Sequence, residues 1–296
     1  SIIKKRRKIA QKLTIHKMNA VLKHFKKNKI IYILIFLFFL SKLLTIPSYK
    51  TVWWDSAVYI GMGKYVYSFG SAGLWESSRS ILWPLLLGFL WKTGLNVLIG
   101  RVLEIIFGSL CILLTYFIGK RLFNGKTALL ASIFLALSPT FFLFNGVMLA
   151  EIVSTFFSLV AIYFFIEKKY YISGIFLGVA FMAKFFQLFI FIAIIFITLL
   201  NFDAKSVRNL KKIFIGFIVV TALFLILNQI LYNNIFFPFI QQIFLSNNSG
   251  WLNYHSFSYY FIELFKENLV YLLFVFGLFL LFKDKDANKK LIAIIF

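Results

Sequence analysis

Asp55, in the run Trp53-Trp54-Asp55-Ser56-Ala57-Val58-Tyr59, is a carboxylate at the end of the first long apolar stretch in a chain with only ten acids. Fixed at a membrane surface, such a group is a candidate catalytic group. The competing role is to cap the helix that starts there. Glu151, in Met148-Leu149-Ala150-Glu151-Ile152-Val153-Ser154, lies just inside another apolar run. An ionised group there is costly unless a partner or a wet cavity receives it, so it reads as functional by default. Lys184, in Met182-Ala183-Lys184-Phe185-Phe186, is an uncompensated base between two apolar runs. It suits an anionic headgroup, with snorkelling along its own stem as the alternative. Arg79 follows Glu76 by three residues, ahead of an apolar segment with a proline. Glu104 has Arg101 at i−3 on one helix, and the two read as a structural ion pair.

The elements that must position these groups follow from composition. Of 296 residues, 61% are hydrophobic and only 14% charged, with 40 Phe. A soluble domain cannot bury that much apolar surface, so the expected class is an all-α polytopic membrane protein. The expected spans are 30–46, 98–118, 127–144, 147–166, 171–183, 186–200, 213–232 and 269–282, with a ninth from Leu291. The piece 81–91 is short and holds Pro84 and Gly88, so it reads as an interfacial or re-entrant helix.

The formal charge of +22 is distributed in short clusters between apolar runs and in a basic tail, 1–29. That is the pattern of the positive-inside rule rather than of a nucleic-acid partner. With the tail in the cytoplasm, 24 of the 32 Lys and Arg fall on the inner side. The run Lys4-Lys5-Arg6-Arg7-Lys8 is then placed to meet anionic membrane lipids. The first outer loop is 47–97 and the late outer loop 233–268, within a region 30–296. No cleavage site follows Ile46, so a cleaved signal peptide is not expected. The lone Cys111 lies within a span, which leaves no disulfide framework or thiolate metal site. The chain starts at Ser1 and stops at Phe296 within a new apolar run, so both ends read as incomplete.

This sidedness sorts the acids. Glu167, Asp203, Asp284 and Asp286 fall in inner loops beside lysines that would solvate and pair with them. Asp55, Glu76, Glu104, Glu151, Glu263 and Glu267 remain outside or at the outer side, and of three His only His255 joins them.

The order of these motifs resembles the GT-C glycosyltransferases of the protein O-mannosyltransferase and aminoarabinose transferase type. Trp54-Asp55-Ser56-Ala57-Val58-Tyr59 is similar to the acidic motif of that family's first outer loop. Ser78-Arg79-Ser80-Ile81-Leu82-Trp83-Pro84-Leu85 is similar to its basic, proline-containing segment, with Ser80 and Ile81 in place of paired prolines. The likeness continues through Gly100-Arg101-Val102-Leu103, Gly119-Lys120-Arg121-Leu122-Phe123-Asn124-Gly125, Leu137-Ser138-Pro139, Glu151 and Ala183-Lys184. It ends at His255-Ser256-Phe257-Ser258-Tyr259-Tyr260, which looks like the His-aromatic segment of the late outer loop.

The resemblance implies a GT-C bundle with an interfacial helix in its first outer loop. It also implies transfer of a hexosyl or pentosyl unit from a polyprenyl- or dolichyl-phosphate donor to a lipid, protein or glycan acceptor. The implied location is the extracytoplasmic face of a plasma membrane, or of the endoplasmic reticulum in a eukaryote. In that scheme Asp55 is the general base and Glu151 a second carboxylate beside an oxocarbenium-like centre. Arg79 and Lys184 hold the phosphate, and Glu76, His255 and Tyr59 complete the substrate contacts. A divalent metal could neutralise phosphate, but sparse acids and one outer His make a dedicated all-protein site a weak expectation, and no other cofactor is implied. The rival reading is a transporter or lipid flippase in which Glu104, Glu151 and Lys184 form an ion pathway. A purely structural membrane subunit is the third reading, and it predicts no convergence of Asp55, Glu151, Arg79 and Lys184.

Overall fold

In hydrocarbon a backbone must satisfy its own hydrogen bonds, and the apolar runs accordingly fold as helices. The computed structural model describes residues 28–94, 97–200, 204–248, 256–267 and 277, and no strand occurs among them. The helices are α1 (Lys29–Thr45), α2 (Trp54–Tyr67), α3 (Leu82–Lys92), α4 (Val97–Leu122), α5 (Gly125–Leu137) and α6 (Pro139–Phe144). They continue with α7 (Ala150–Ile166), α8 (Tyr170–Ala183), α9 (Leu188–Leu200), α10 (Ala204–Tyr232), α11 (Phe237–Asn248) and α12 (Phe257–Glu267). Short 3₁₀ turns follow α1 at Ile46–Ser48 and precede α9 at Phe185–Gln187.

The all-helical polytopic membrane architecture expected from composition is the one found. Three described helical segments are long and apolar enough to cross a membrane: Lys29–Ser48, Val97–Leu122 and Ala204–Tyr232. At 1.5 Å per residue the last two extend roughly 39 and 44 Å, beyond the ~30 Å hydrocarbon core. Phe36, Leu44, Leu223 and Ile230 stay largely exposed on α1 and α10, as side chains facing lipid would.

The other expected spans fold differently from a set of full crossings. The stretch 127–144 is divided into α5 and α6, because Pro139 holds Ser138 extended at φ −61° and ψ 122°. The helices over 147–166, 171–183 and 186–200 are apolar but only 17, 14 and 13 residues long. The piece 81–91 forms the 11-residue α3, too short to span. The stretch 269–282 and the ninth run lie outside the described residues apart from Gly277, as does the basic tail before Asn28.

Packing runs from α1 and α5 onto α4, from α4 onto α7, and through α8 to α10. One buried cluster joins Ile112, Tyr116 and Ala128 to Ile31 and Phe38. Another joins Ile162 and Phe165 to Leu177, Phe191, Ile213 and Phe217. Each reversal of the chain brings alternate helix ends together. At one end Arg121 Nε meets Glu167 Oε1 at 2.8 Å, so Glu167 pairs across helices rather than with its neighbouring lysines. At the opposite end α2 and α3 lie over the start of α7 and the end of α8, around Tyr59, Trp83, Leu87, Met148, Ala150, Val153 and Ala183.

Candidate active site

The site is assembled at that second end. α2 begins at Trp54 with Trp53 as its extended cap residue and no side-chain cap bond. Asp55 therefore sits inside the first turn, where the positive end of the helix dipole favours a carboxylate, and it is not the cap. Its carboxylate instead accepts from Arg79 Nη2 at 2.7 Å. Arg79 Nε donates to Glu76 Oε1 at 3.0 Å, and Ser78 Oγ donates to the same oxygen at 3.1 Å. One guanidinium thus clasps two carboxylates, and it lies 5.1 Å from the centre of the Tyr59 ring.

α2 and α3 bring these groups together through a close crossing. A Cβ on Gly63 would stand 2.5 Å from the Pro84 carbonyl oxygen, and one on Gly88 would stand 2.5 Å from that of Gly63. Only paired glycines permit this approach. Pro84 falls in the first turn of α3, where a missing N–H is tolerated.

A second ion pair stands nearby. Glu151 lies in the first turn of α7, and Lys184 follows the last residue of α8 in extended conformation. Lys184 Nζ donates to Glu151 Oε1 at 2.5 Å. The expectation of an uncompensated lysine is corrected: α7 starts where α8 stops, so a base and an acid far apart in sequence face each other. Glu151 Oε2 is buried and has no hydrogen-bond partner among the described residues.

The two pairs are joined by polar contacts. Ser80 Oγ donates to the Ala183 carbonyl at 2.5 Å, tying the residue after Arg79 to the residue before Lys184. Gln187 bridges Ser158 and Ser154 at 2.8 and 3.0 Å, fixing the turn after Lys184 against α7. Trp75 Nε1 donates to Tyr232 Oη at 2.7 Å and brings the end of α10 to the same surface. Tyr59 senses both groups. Burial raises its phenol above the ordinary value, the Arg79 guanidinium and its hydrogen bond oppose that shift, and the charges of Glu151 and Asp55 add to it. Burial works against the charge of Arg79, but Tyr59, Glu76 and the hydrogen bonds that Arg79 donates to Tyr59 and Asp55 outweigh it and raise its affinity for the proton. Arg79 remains a cation, and Tyr59 remains a phenol.

Among the residues singled out in the sequence, Asp55, Tyr59, Glu76, Arg79, Glu151 and Lys184 occupy this one end. His255 lies outside the described residues. On α12 Glu263 pairs locally with Lys266 at 2.6 Å. The ion pair expected between Arg101 and Glu104 does not form. Arg101 donates to the carbonyls of Tyr49 and Thr51 at 3.4 and 3.1 Å. The Glu104 carboxylate turns the other way and accepts the backbone N–H groups of Gly146, Met148 and Leu149. That arrangement counts against an ion pathway through Glu104, because its carboxylate is fully buried and both oxygens are already held by backbone amides.

Sequence reasoning missed several residues that hold the site. Ser56 Oγ donates to the Val147 carbonyl at 2.6 Å, and Trp83 Nε1 donates to the Met148 carbonyl at 2.9 Å. Their partners are backbone carbonyls far along the chain, which no spacing reveals. Among the described residues no group of three or more His, Cys, Asp or Glu could hold a metal ion. The acids present are instead occupied by Arg79 and Lys184.

The chain is matched over residues 80–232 by the family model of dolichyl-phosphate-mannose-protein mannosyltransferase. The match includes Glu151 and Lys184 and begins just after Arg79. No curated protein and no solved structure matches.

Proposed function

The chain belongs to the dolichyl-phosphate-mannose-protein mannosyltransferase family and is a membrane glycosyltransferase, and from that premise we propose that it moves a sugar from a polyprenyl-phosphate carrier to an acceptor hydroxyl at the extracytoplasmic face. The observation that carries the proposal is the pairing of two cations with two carboxylates at one end of the bundle, Arg79 with Asp55 and Lys184 with Glu151. A donor phosphate competing for Arg79 and Lys184 releases both carboxylates as it binds. Charge-assisted contacts of this kind are among the stronger ones available to hold it. Asp55, its side chain 51% exposed, then takes the proton from the acceptor hydroxyl as that oxygen attacks the anomeric carbon. Glu151, with its second oxygen unpaired, faces the positive charge that develops on the sugar, or orients the acceptor. Attack opposite the departing phosphate inverts the anomeric centre.

A lipid carrier has somewhere to lie. A groove of about 350 Å³, lined by Phe181, Phe185, Phe186, Phe189 and Phe239, includes the residue that follows Lys184. The test is a transfer assay of the purified chain against a panel of polyprenyl-phosphate sugars with hydroxyl acceptors. Transfer from at least one donor is expected, and lost in Asp55→Asn. Failure with every donor, or equal use of a soluble nucleotide sugar, overturns the reading.

A further inference from the structure

Glu104 takes no part in that chemistry, yet it is the most completely enclosed acid described, at 0% exposure on α4. Oε2 accepts from Gly146 N at 2.8 Å and Met148 N at 2.5 Å, and Oε1 accepts from Leu149 N at 2.8 Å. Three converging donors select a side chain that only accepts, since an amide would set its own N–H₂ against them. The turn that supplies them is unusual. Gly146 has φ 96° and Met148 has φ 68°, left-handed conformations that a side-chain-bearing residue rarely adopts without support. The support comes from three helices: Glu104 of α4 on the amides, Ser56 of α2 on the Val147 carbonyl, and Trp83 of α3 on the Met148 carbonyl. The Asn145 side chain is packed against Gly108 of α4.

The turn therefore couples two carboxylates. Ser56 is next to Asp55, and Leu149 is two residues before Glu151. We propose that Glu104 is a positioning residue for glycosyl transfer, whose carboxylate fixes the 145–149 turn and through it the spacing between Asp55 and Glu151. The proposal rests on the glycosyltransferase reading above. Glu104 touches no substrate; it acts on geometry, and misplacing reacting groups by about 1 Å can cost ~10²-fold in rate.

The experiment uses the full chain in lipid nanodiscs with whichever polyprenyl-phosphate sugar the panel identifies. Glu104→Gln is expected to lower kcat by roughly ten- to a hundred-fold while KM for the donor changes by less than about twofold, because Arg79 and Lys184 are untouched. Hydrogen exchange at the amides of Gly146, Met148 and Leu149 should accelerate, with exchange in α10 unchanged. Glu104→Asp, which keeps an acceptor-only group, should recover part of kcat. If Glu104→Gln does not fold, Gly146→Ala serves instead: a Cβ there meets only ordinary contacts, so it strains the turn without removing the carboxylate. Unchanged exchange in the turn overturns the proposal, and so does faster exchange with unchanged kcat. If wild-type chain uses no donor at all, the glycosyltransferase reading falls, and exchange alone decides whether Glu104 holds the turn.

Discussion

Arg79 contacts Asp55 and Glu76 at once, so changing any of the three redistributes charge over the others. Asp55→Asn keeps an acceptor for Arg79 while removing the basicity and the negative charge. Transfer should fall about 10²- to 10⁴-fold with folding and donor binding preserved; a wild-type rate in well-folded protein would place the base elsewhere. Lys184→Ala removes a contact of ~1.5–3 kcal/mol to the donor phosphate, expected to raise donor KM roughly ten- to over a hundred-fold. It also strands Glu151. Adding Glu151→Gln should then cost less than it does alone, and strict additivity of the two losses in a double-mutant cycle would show that the pair does not act as a unit.

The crossing of α2 over α3 makes Gly63 and Gly88 as consequential as any charged residue. A methyl group at Gly88 meets the backbone of Gly63, which cannot rotate away. Gly88→Ala should therefore push the helices apart, lengthen the contact between Asp55 and Arg79, and reduce both thermal stability and transfer. Unaltered melting and kcat would mean the helices tolerate a wider crossing. At this scale sequence reading succeeded where the signal was local. The start of the Asp55 helix and the short helix with Pro84 and Gly88 were both legible from interfacial tryptophans and helix-breaking residues. It failed where the partner was distant or was backbone. Spacing put Arg101 and Glu104 on one face, but two desolvated groups are satisfied by whatever partners enclose them, and here loop carbonyls accept from Arg101 while loop amides donate to Glu104. Lys184 looked unpaired for the same reason, since Glu151 lies 33 positions away. The division at Pro139 is signalled by the proline itself, against the hydropathy around it.

Across the whole molecule, charge and hydropathy made the bundle legible, because lipid imposes one solution on every apolar run. The number of full-length crossings was less so, since hydropathy reports where a helix is apolar and not where a break such as Ser138–Pro139 cuts it short. With the tail in the cytoplasm, cysteines placed at the exposed positions 54 and 71 should react with impermeant reagents from outside, and one at 126 only from inside. Labelling of all three from one side would reject that orientation. The buried Cys111 should stay silent in these assays. The clasp on Glu104 also has a history during synthesis. Its amide donors are made 42 to 45 residues later, about 2 to 9 seconds at ~5–20 residues per second. Over that interval α4 bears a carboxyl group with no partner, which hydrocarbon tolerates only when it is neutral or still wet. Lateral release of α4 from the insertion channel should therefore wait for residues 146–149. A ribosome-arrested chain long enough to expose α4 but not residues 146–149 should leave α4 crosslinked to the channel, and Glu104→Leu should free it early.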